Sequence, residues 1–365
     1  MTADSHIRIM IMAGGTGGHV IPALSVAECL RCVDAQMAWL GTRAGIEADL
    51  VPAQDIDIHF LDIEGIRGRG LVAAVKAPLL LWRSIRQALS VFAEFKPQVI
   101  LGMGGFASGP GAVAAWLTRI PIVIHEQNSI AGTTNRISAL FARRVLQGFP
   151  HTLARGEWLG NPVRSAIAQL PAPEQRLGNR QGKLRLLIVG GSRGALAINQ
   201  LLPKALAELN LDVMPEIWHQ TGKAHLEITR DAYRQQGIEV NDDSMRVVPF
   251  IDSMAEAYHW CDFVICRAGA LTVAELTSAG IGALLIPFPF AIDDHQTRNG
   301  QLLVDHDAGM MIAQADINEQ CLSELIADIS RSPEKRLSMA INARKLARND
   351  AAEKVAQVCL EVAND

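Results

Sequence analysis

The 365-residue chain reads as an α/β protein built from two parallel-sheet domains. Short apolar runs alternate throughout with helix-length amphipathic stretches, the pattern of strands buried between helices. The alternation fails between Phe149 and Lys183, where Pro150, Pro162, Pro171 and Pro173 fall beside a polar EQRLGNRQGK run. Beyond the break the opening device returns. IRIMIMAGGTGGHVIPALS and LRLLIVGGSRGALAINQLL are each a strand, a glycine turn and a helix. These observations place a domain boundary near Arg164, with residues 1–164 before it and 165–348 after it.

In the first half the expected strands are Ile7–Met12, Met37–Leu40, Ile58–Asp62, Val99–Met103, Ile122–Glu126 and Val145–Gln147. The first runs straight into Gly14, Gly15, Gly17 and Gly18, with Pro22 expected in the first turn of the following helix, where a missing N–H costs nothing. Glycine lets a ligand approach the backbone, and the N–H groups and dipole of a helix start favour an anion. His19 stands at the mouth of that turn. The dinucleotide fingerprint does not fit: AGGTGGH misses the G-x-G-x-x-G spacing, and the second strand ends in Gly41-Thr42 without a carboxylate. A second glycine loop, GMGGFASGP, follows the Val99 strand. Its Gly104 and Gly105, with Ser108 as a further donor, could cradle a pyrophosphate together with Gly14 and Gly15.

Strand Ile122–Glu126 delivers His125, Glu126, Gln127 and Asn128 to the same carboxyl edge. A zinc-binding H-E-x-x-H is excluded, because Ser129 stands where the second His belongs. GNPVR brings Arg164, a bidentate phosphate ligand by chemistry, to the boundary. In the second half the expected strands after the glycine turn are Ile217–Gln220, Val247–Phe250, Phe263–Cys266 and Ala283–Pro287. GGSRGA offers Ser192 at a helix start, and RAGALTVAEL puts Thr272 and Glu275 in early turns, where a carboxylate can accept two ribose hydroxyls. Asp350 and Glu353 have capping-box spacing for a last helix ending near Ala363.

Composition narrows the function. The chain is 49% hydrophobic, 20% charged and carries a net charge of -4, which suits a globular protein and speaks against bulk nucleic-acid binding. Six cysteines without a spaced framework read as buried free thiols in a reducing compartment. No signal peptide is expected, and the uncharged stretch Pro97–Thr118 is interrupted by too many glycines to span a bilayer. The segment from Gly65 to Ala93 carries Arg67, Arg69, Lys76, Arg83 and Arg86, no acidic residue, and LVAAVKAPLLLW. Such a basic, apolar, Trp-bearing stretch suits an anionic bilayer surface. The expectation is a soluble or peripheral protein.

With GGTGGH, GGFASGP, HEQN, GNPVR, GGSRGA and RAGALTVAE in this order, the chain resembles the MurG family, the UDP-N-acetylglucosamine transferases that complete lipid II in peptidoglycan synthesis. The resemblance implies the GT-B glycosyltransferase fold: two Rossmann-like domains facing across a cleft, with a C-terminal helix, 349–365, returning to the first. It also implies work without metal or other cofactor at the cytoplasmic face of the inner membrane. By motif, Thr16, Gly17 and Gly18 would face the donor sugar, with Asn128 near the sugar and Arg164 near the phosphates. Ser192 would bind diphosphate and the backbone of Ile251 would read uracil. Ala270, Leu271, Thr272, Val273, Ala274 and Glu275 would hold phosphate and ribose, and Gln296 the acetamido sugar. The first-domain glycine loops would take the pyrophosphate of an undecaprenyl-linked acceptor, while Leu79, Leu80, Trp82 and Trp116 would touch the membrane. Phe106 stands where the family pattern favours Tyr, and Asn299 is followed by Gly300 rather than Ala.

The reaction so implied is an inverting displacement at the anomeric carbon. It needs a base for the acceptor hydroxyl, and His19 is the first candidate because an imidazole titrates near working pH. Glu126 is the second, as base or as the partner that orients His19. A UDP-N-acetylglucosamine epimerase on the same fold, a nicotinamide enzyme and a membrane-associated scaffold are the competing readings.

Overall fold

In the computed structural model the described residues are 6–63, 70–191, 194–241 and 243–365, less the side chains of 70–76 and 292. The chain divides into two compact units, Met1–Arg164 with Asn349–Asp365, and Ser165–Arg348. Each is built on one all-parallel sheet.

The first sheet has seven strands in the order β3-β2-β1-β4-β5-β6-β7. They are β1 (Arg8–Ala13), β2 (Gln36–Gly41), β3 (Asp57–Phe60), β4 (Val99–Gly104), β5 (Ile122–Glu126), β6 (Arg144–Gln147) and the two-residue β7 (Glu157–Trp158). Strand periodicity sorts β1 between two cores. Ile9, Ile11 and Ala13 pack with Val20, Ala23, Val26 and Leu30 of α1 (Gly17–Arg31) and with Val355, Val358, Cys359 and Val362 of the terminal helix Ala351–Asn364. Met10 and Met12 pack on the opposite face, against Ala88 and Phe92 of α3 (Gly70–Phe95) and Ala112, Ala114 and Ala115 of α4 (Ser108–Thr118). A short helix, α2 (Glu47–Leu50), follows β2, and α5 (Thr133–Ser138) follows β5.

The second sheet has the order β10-β9-β8-β11-β12-β13, formed by β8 (Arg185–Val189), β9 (Glu216–Gln220), β10 (Met245–Val248), β11 (Phe263–Cys266), β12 (Gly282–Leu285) and β13 (Gly309–Met311). Both orders begin at the centre, run outward to one edge, then cross to the other side. The reversal beside β1 and beside β8 is where ligands bind in sheets of this kind.

Three local expectations are corrected. The glycines themselves form the first turn of α1, which begins at Gly17, so Pro22 lies in its second turn and withholds an N–H from the carbonyl of Gly18. Asp350 precedes the terminal helix without making a side-chain cap bond. Its carboxylate pairs instead with Lys354 at 2.7 Å, one turn on. The edge pieces β7 and β13 add strands that the apolar pattern does not mark.

Candidate active site

The two glycine loops of the first unit meet backbone to backbone. The β1–β4 register slips between Met12 and Ala13, so that Ala13 pairs Gly104. Gly105, at φ +91°, lies so close to Gly14 that a Cβ there would fall 2.4 Å from the Gly14 carbonyl oxygen. Gly104, at φ +96°, is covered by the imidazole of His19, whose Cδ2 would stand 3.0 Å from an added Cβ. His19 is half-buried in the first turn of α1, beside the exposed N-cap Thr16. Gly17 and Gly18 supply the first N–H groups of that helix.

Two polar groups expected to face a ligand are turned inward. The Ser108 hydroxyl, 3% exposed, donates to the carbonyls of Gly104 at 2.7 Å and Met12 at 3.1 Å, which ties the two strand exits together. The Gly15 N–H donates to Glu47 Oε2 at 2.8 Å. Glu47 was not singled out by its motif. It is fully buried, and its Oε1 accepts from Thr42 N at 2.9 Å and Thr42 Oγ1 at 2.7 Å.

The HEQN strand end divides its work. His125 is wholly buried, which pushes its imidazole below the ordinary value and keeps it neutral. Its Nε2–H donates to the Gly160 carbonyl at 2.8 Å, since a carbonyl can only accept. Gln127 O accepts from Asn161 Nδ2 at 3.0 Å. Together they anchor GNPVR, leaving Arg164 half-buried as the last residue of the unit's first segment. Glu126 is 2% exposed and clamps the loop after β5. One carboxylate oxygen accepts from Asn128 N at 2.9 Å, the other from Gly132 N at 3.0 Å and Asn135 Nδ2 at 2.9 Å. In this geometry the carboxylate is a loop strut, with Asn128 half-exposed beside it.

In the second unit, Gln220 at the end of β9 holds the glycine turn after β8 from both sides. Its Oε1 accepts from Gly191 N at 3.0 Å, and its Nε2 donates to Gly191 O at 3.0 Å and Pro249 O at 3.3 Å. Ser192 lies outside the described residues. Behind the turn, buried His219 bridges the Tyr233 hydroxyl at 2.9 Å and Asn199 Oδ1 at 3.0 Å, and Asn199 Nδ2 donates to Thr221 O. Desolvation lowers the His219 pKa to about 3. Ile251, 5% exposed, follows the Pro249 held by Gln220.

Helix Ala270–Ala279 starts from extended Gly269 with no side-chain cap, so the N–H groups of Ala270, Leu271 and Thr272 open its N-terminus. Val273 and Glu275 are buried, and Leu271 and Ala274 half-buried. Glu275 Oε2 accepts from the fully buried Tyr258 hydroxyl at 3.1 Å. Gln296, expected at the sugar, accepts from Phe288 N through its side-chain Oε1 at 2.9 Å. Arg267 fixes the same strand exit by donating to Ile286 O, Pro287 O and Gln314 Oε1.

A second surface lies on the first unit. α3 exposes Leu79, Leu80, Leu81 and Trp82, and α4 exposes Trp116 and Leu117. Arg86 lies over the Trp82 ring at 5.0 Å, and Arg83 pairs with Asp62. Arg67 and Arg69 lie outside the described residues, as does the side chain of Lys76. Among the described residues no helix is long and apolar enough to cross a membrane.

Residues 9–147 match the glycosyltransferase family 28 N-terminal domain and residues 185–355 the glycosyltransferase family 28 C-terminal domain. A UDP-N-acetylglucosamine--N-acetylmuramyl-(pentapeptide) pyrophosphoryl-undecaprenol N-acetylglucosamine transferase of Nitrosococcus oceani is 49% identical over 98% of this chain and 99% of its own. The chain belongs to the MurG family. The crystal structure of Acinetobacter baumannii MurG superposes with a TM-score of 0.81 at 36% identity, covering 97% of this chain and 99% of the other. A Listeria monocytogenes protein described as a putative UDP-N-acetylglucosamine 2-epimerase reaches a TM-score of 0.66 over 96% of this chain and 95% of its own. At 14% identity it shares only the fold, so the epimerase reading is not favoured. The MurG-family chain is a UDP-N-acetylglucosamine-dependent glycosyltransferase with the GT-B fold.

Proposed function

We propose that this protein transfers N-acetylglucosamine from UDP-N-acetylglucosamine to the 4-hydroxyl of undecaprenyl-diphospho-N-acetylmuramoyl-pentapeptide in peptidoglycan synthesis. The observation that carries the reading is full-length relatedness to transferases of that name, with a glycine turn at the centre of each sheet.

The first unit takes the acceptor, with its diphosphate near Gly14, Gly104, Gly105 and the opening N–H groups of α1. His19 accepts the proton of the attacking hydroxyl. The hydroxyl oxygen forms the new bond to the anomeric carbon from the face opposite the nucleotide. The bond to the β-phosphate oxygen breaks, and UDP leaves with that electron pair. Asn128 contacts the sugar and Arg164 the phosphates. In the second unit the backbone of Ile251 reads the base, and Glu275 holds the ribose. The N-terminus of helix Ala270–Ala279 draws the growing negative charge of the leaving diphosphate, with Ser192 as a further ligand. Gln296 orders the loop at the acetamido group through Phe288. Glu126 acts by shaping the loop that carries Asn128.

The exposed apolar residues of α3 and α4, flanked by Arg83 and Arg86, rest on the anionic cytoplasmic face of the inner membrane, where a lipid-linked acceptor is found. The deciding experiment is UDP release from UDP-N-acetylglucosamine with and without lipid-linked muramoyl-pentapeptide, in EDTA. Release that requires the acceptor is the expected result. Interconversion of the donor without acceptor would replace this reading with an epimerase.

A further inference from the structure

We infer that Glu47 is a positioning residue for the reacting groups of the first unit: its buried carboxylate sets the glycine turn that His19 and the acceptor diphosphate share. This inference rests on the reading of His19 as the base.

Glu47 is fully buried, and three hydrogen bonds converge on it, from Gly15 N, Thr42 N and Thr42 Oγ1. The chain has cleared space around the carboxylate. A Cβ at Gly45 would stand 2.0 Å from Oε2, one at Gly14 2.5 Å from Oε1, and one at Gly41 2.8 Å from Cγ. Gly14 in turn carries Gly105 at van der Waals contact, and the neighbouring Gly104 forms the floor under His19. The path from carboxylate to imidazole is therefore an unbroken series of close contacts: Glu47, Gly14–Gly15, Gly105–Gly104, His19.

The chemistry of the partners explains why the residue is an acid. All three are donors, and only a carboxylate can accept from every side. An amide of the same shape would turn its NH2 toward at least one N–H. Gln220 of the second unit is the instructive counterpart, because its partners are one donor and two acceptors, and an amide satisfies them.

The test uses the full chain with Glu47→Gln, and with Thr42→Val and Thr42→Ser as the milder pair. Turnover, KM for each substrate and UDP affinity are measured on each. A misplaced base costs rate steeply, so Glu47→Gln is expected to lower kcat by about 10–100-fold while the Kd for UDP stays within about twofold. Thr42→Val removes one of the three donors and loses less, and Thr42→Ser, which keeps the hydroxyl, recovers most of that loss. The inference is overturned if Glu47→Gln turns over at the parental rate, or if UDP affinity falls in step with kcat, the mark of general damage. His19→Ala separates the two claims. An active His19→Ala beside a slow Glu47→Gln removes the base assignment and leaves Glu47 as the organiser of the turn. A dead His19→Ala beside a normal Glu47→Gln removes the Glu47 inference alone.

Discussion

The two glycine turns look alike as sequence and are held in opposite ways. In the first unit a buried carboxylate gathers donors, spends the Gly15 N–H and leaves a negative charge behind the turn. In the second a neutral amide grips Gly191 by both its N–H and its carbonyl and adds no charge. The difference matches the ligands proposed for each. Both turns are proposed to hold a diphosphate, but only that of UDP gains charge in the reaction, so an anion behind the second turn would oppose its departure. At the first turn the change of charge falls on the neighbouring His19 imidazole, which gains a proton in the proposed reaction.

The comparison can be broken most sharply at Gly45. Gly45→Ala would drive a methyl into Glu47 Oε2 and leave the Gly15 and Thr42 donors buried without an acceptor. At about 1–3 kcal/mol for each orphaned group, a loss on the order of 3 kcal/mol or more is expected in urea unfolding. A change below about 0.5 kcal/mol would show that the carboxylate can move at little cost.

Acid should loosen the packing behind the second turn. His219 is neutral in the folded protein with a pKa near 3, whereas in the unfolded chain it titrates near its ordinary 6.5. The unfolded state therefore binds the extra proton between those values. The contribution is complete above pH 6.5 and is lost as pH falls toward 3, by up to about 1.4 kcal/mol per pH unit. Thermal unfolding of the parent and of His219→Gln across that range should show a flatter pH dependence in the variant.

Gln220→Glu places a charge and an acceptor against two carbonyls. UDP binding by calorimetry should weaken by about 10–100-fold, with acceptor KM unchanged. The smallest effect is expected at Tyr258→Phe, which keeps the ring and removes the donor to Glu275. A rise in donor KM of about three- to tenfold, near 1 kcal/mol, is the predicted reading. An unchanged KM would mean that Glu275 is oriented without it.

Much of this was legible in the sequence because strands buried on both faces leave continuous apolar runs and glycine clusters mark close approaches. β1, β5 and β11 are of this kind. The edge strands β7 and β13 were not, since two or three residues carry no period. The clamps were harder to see. A search for an acidic ligand at the end of β2 stops at Gly41-Thr42, whereas Glu47 reaches back from α2 to the preceding turn. The signal is present as Gly41 and Gly45 just ahead of a glutamate, but it is a tertiary pattern written in the spacing of small residues. Ser108 and Glu126 carry the opposite lesson: polar side chains at strand exits also satisfy the exits' own backbone. Pro22 lies a turn deeper than its spacing suggests because Gly17 and Gly18 are themselves helical.

The helix Ala351–Asn364 seals the face of β1 and α1 with Val355, Val358, Cys359 and Val362. Its partners were made at the opposite end of the chain, so this contact spans nearly the full length of the polypeptide. During synthesis the amino-terminal unit leaves the ribosome first and yet must wait, with that face uncovered, until the last residues emerge. The carboxy-terminal unit, contiguous from Ser165 to Arg348, has no such delay. The half of the molecule made first is thereby the half whose core is completed later.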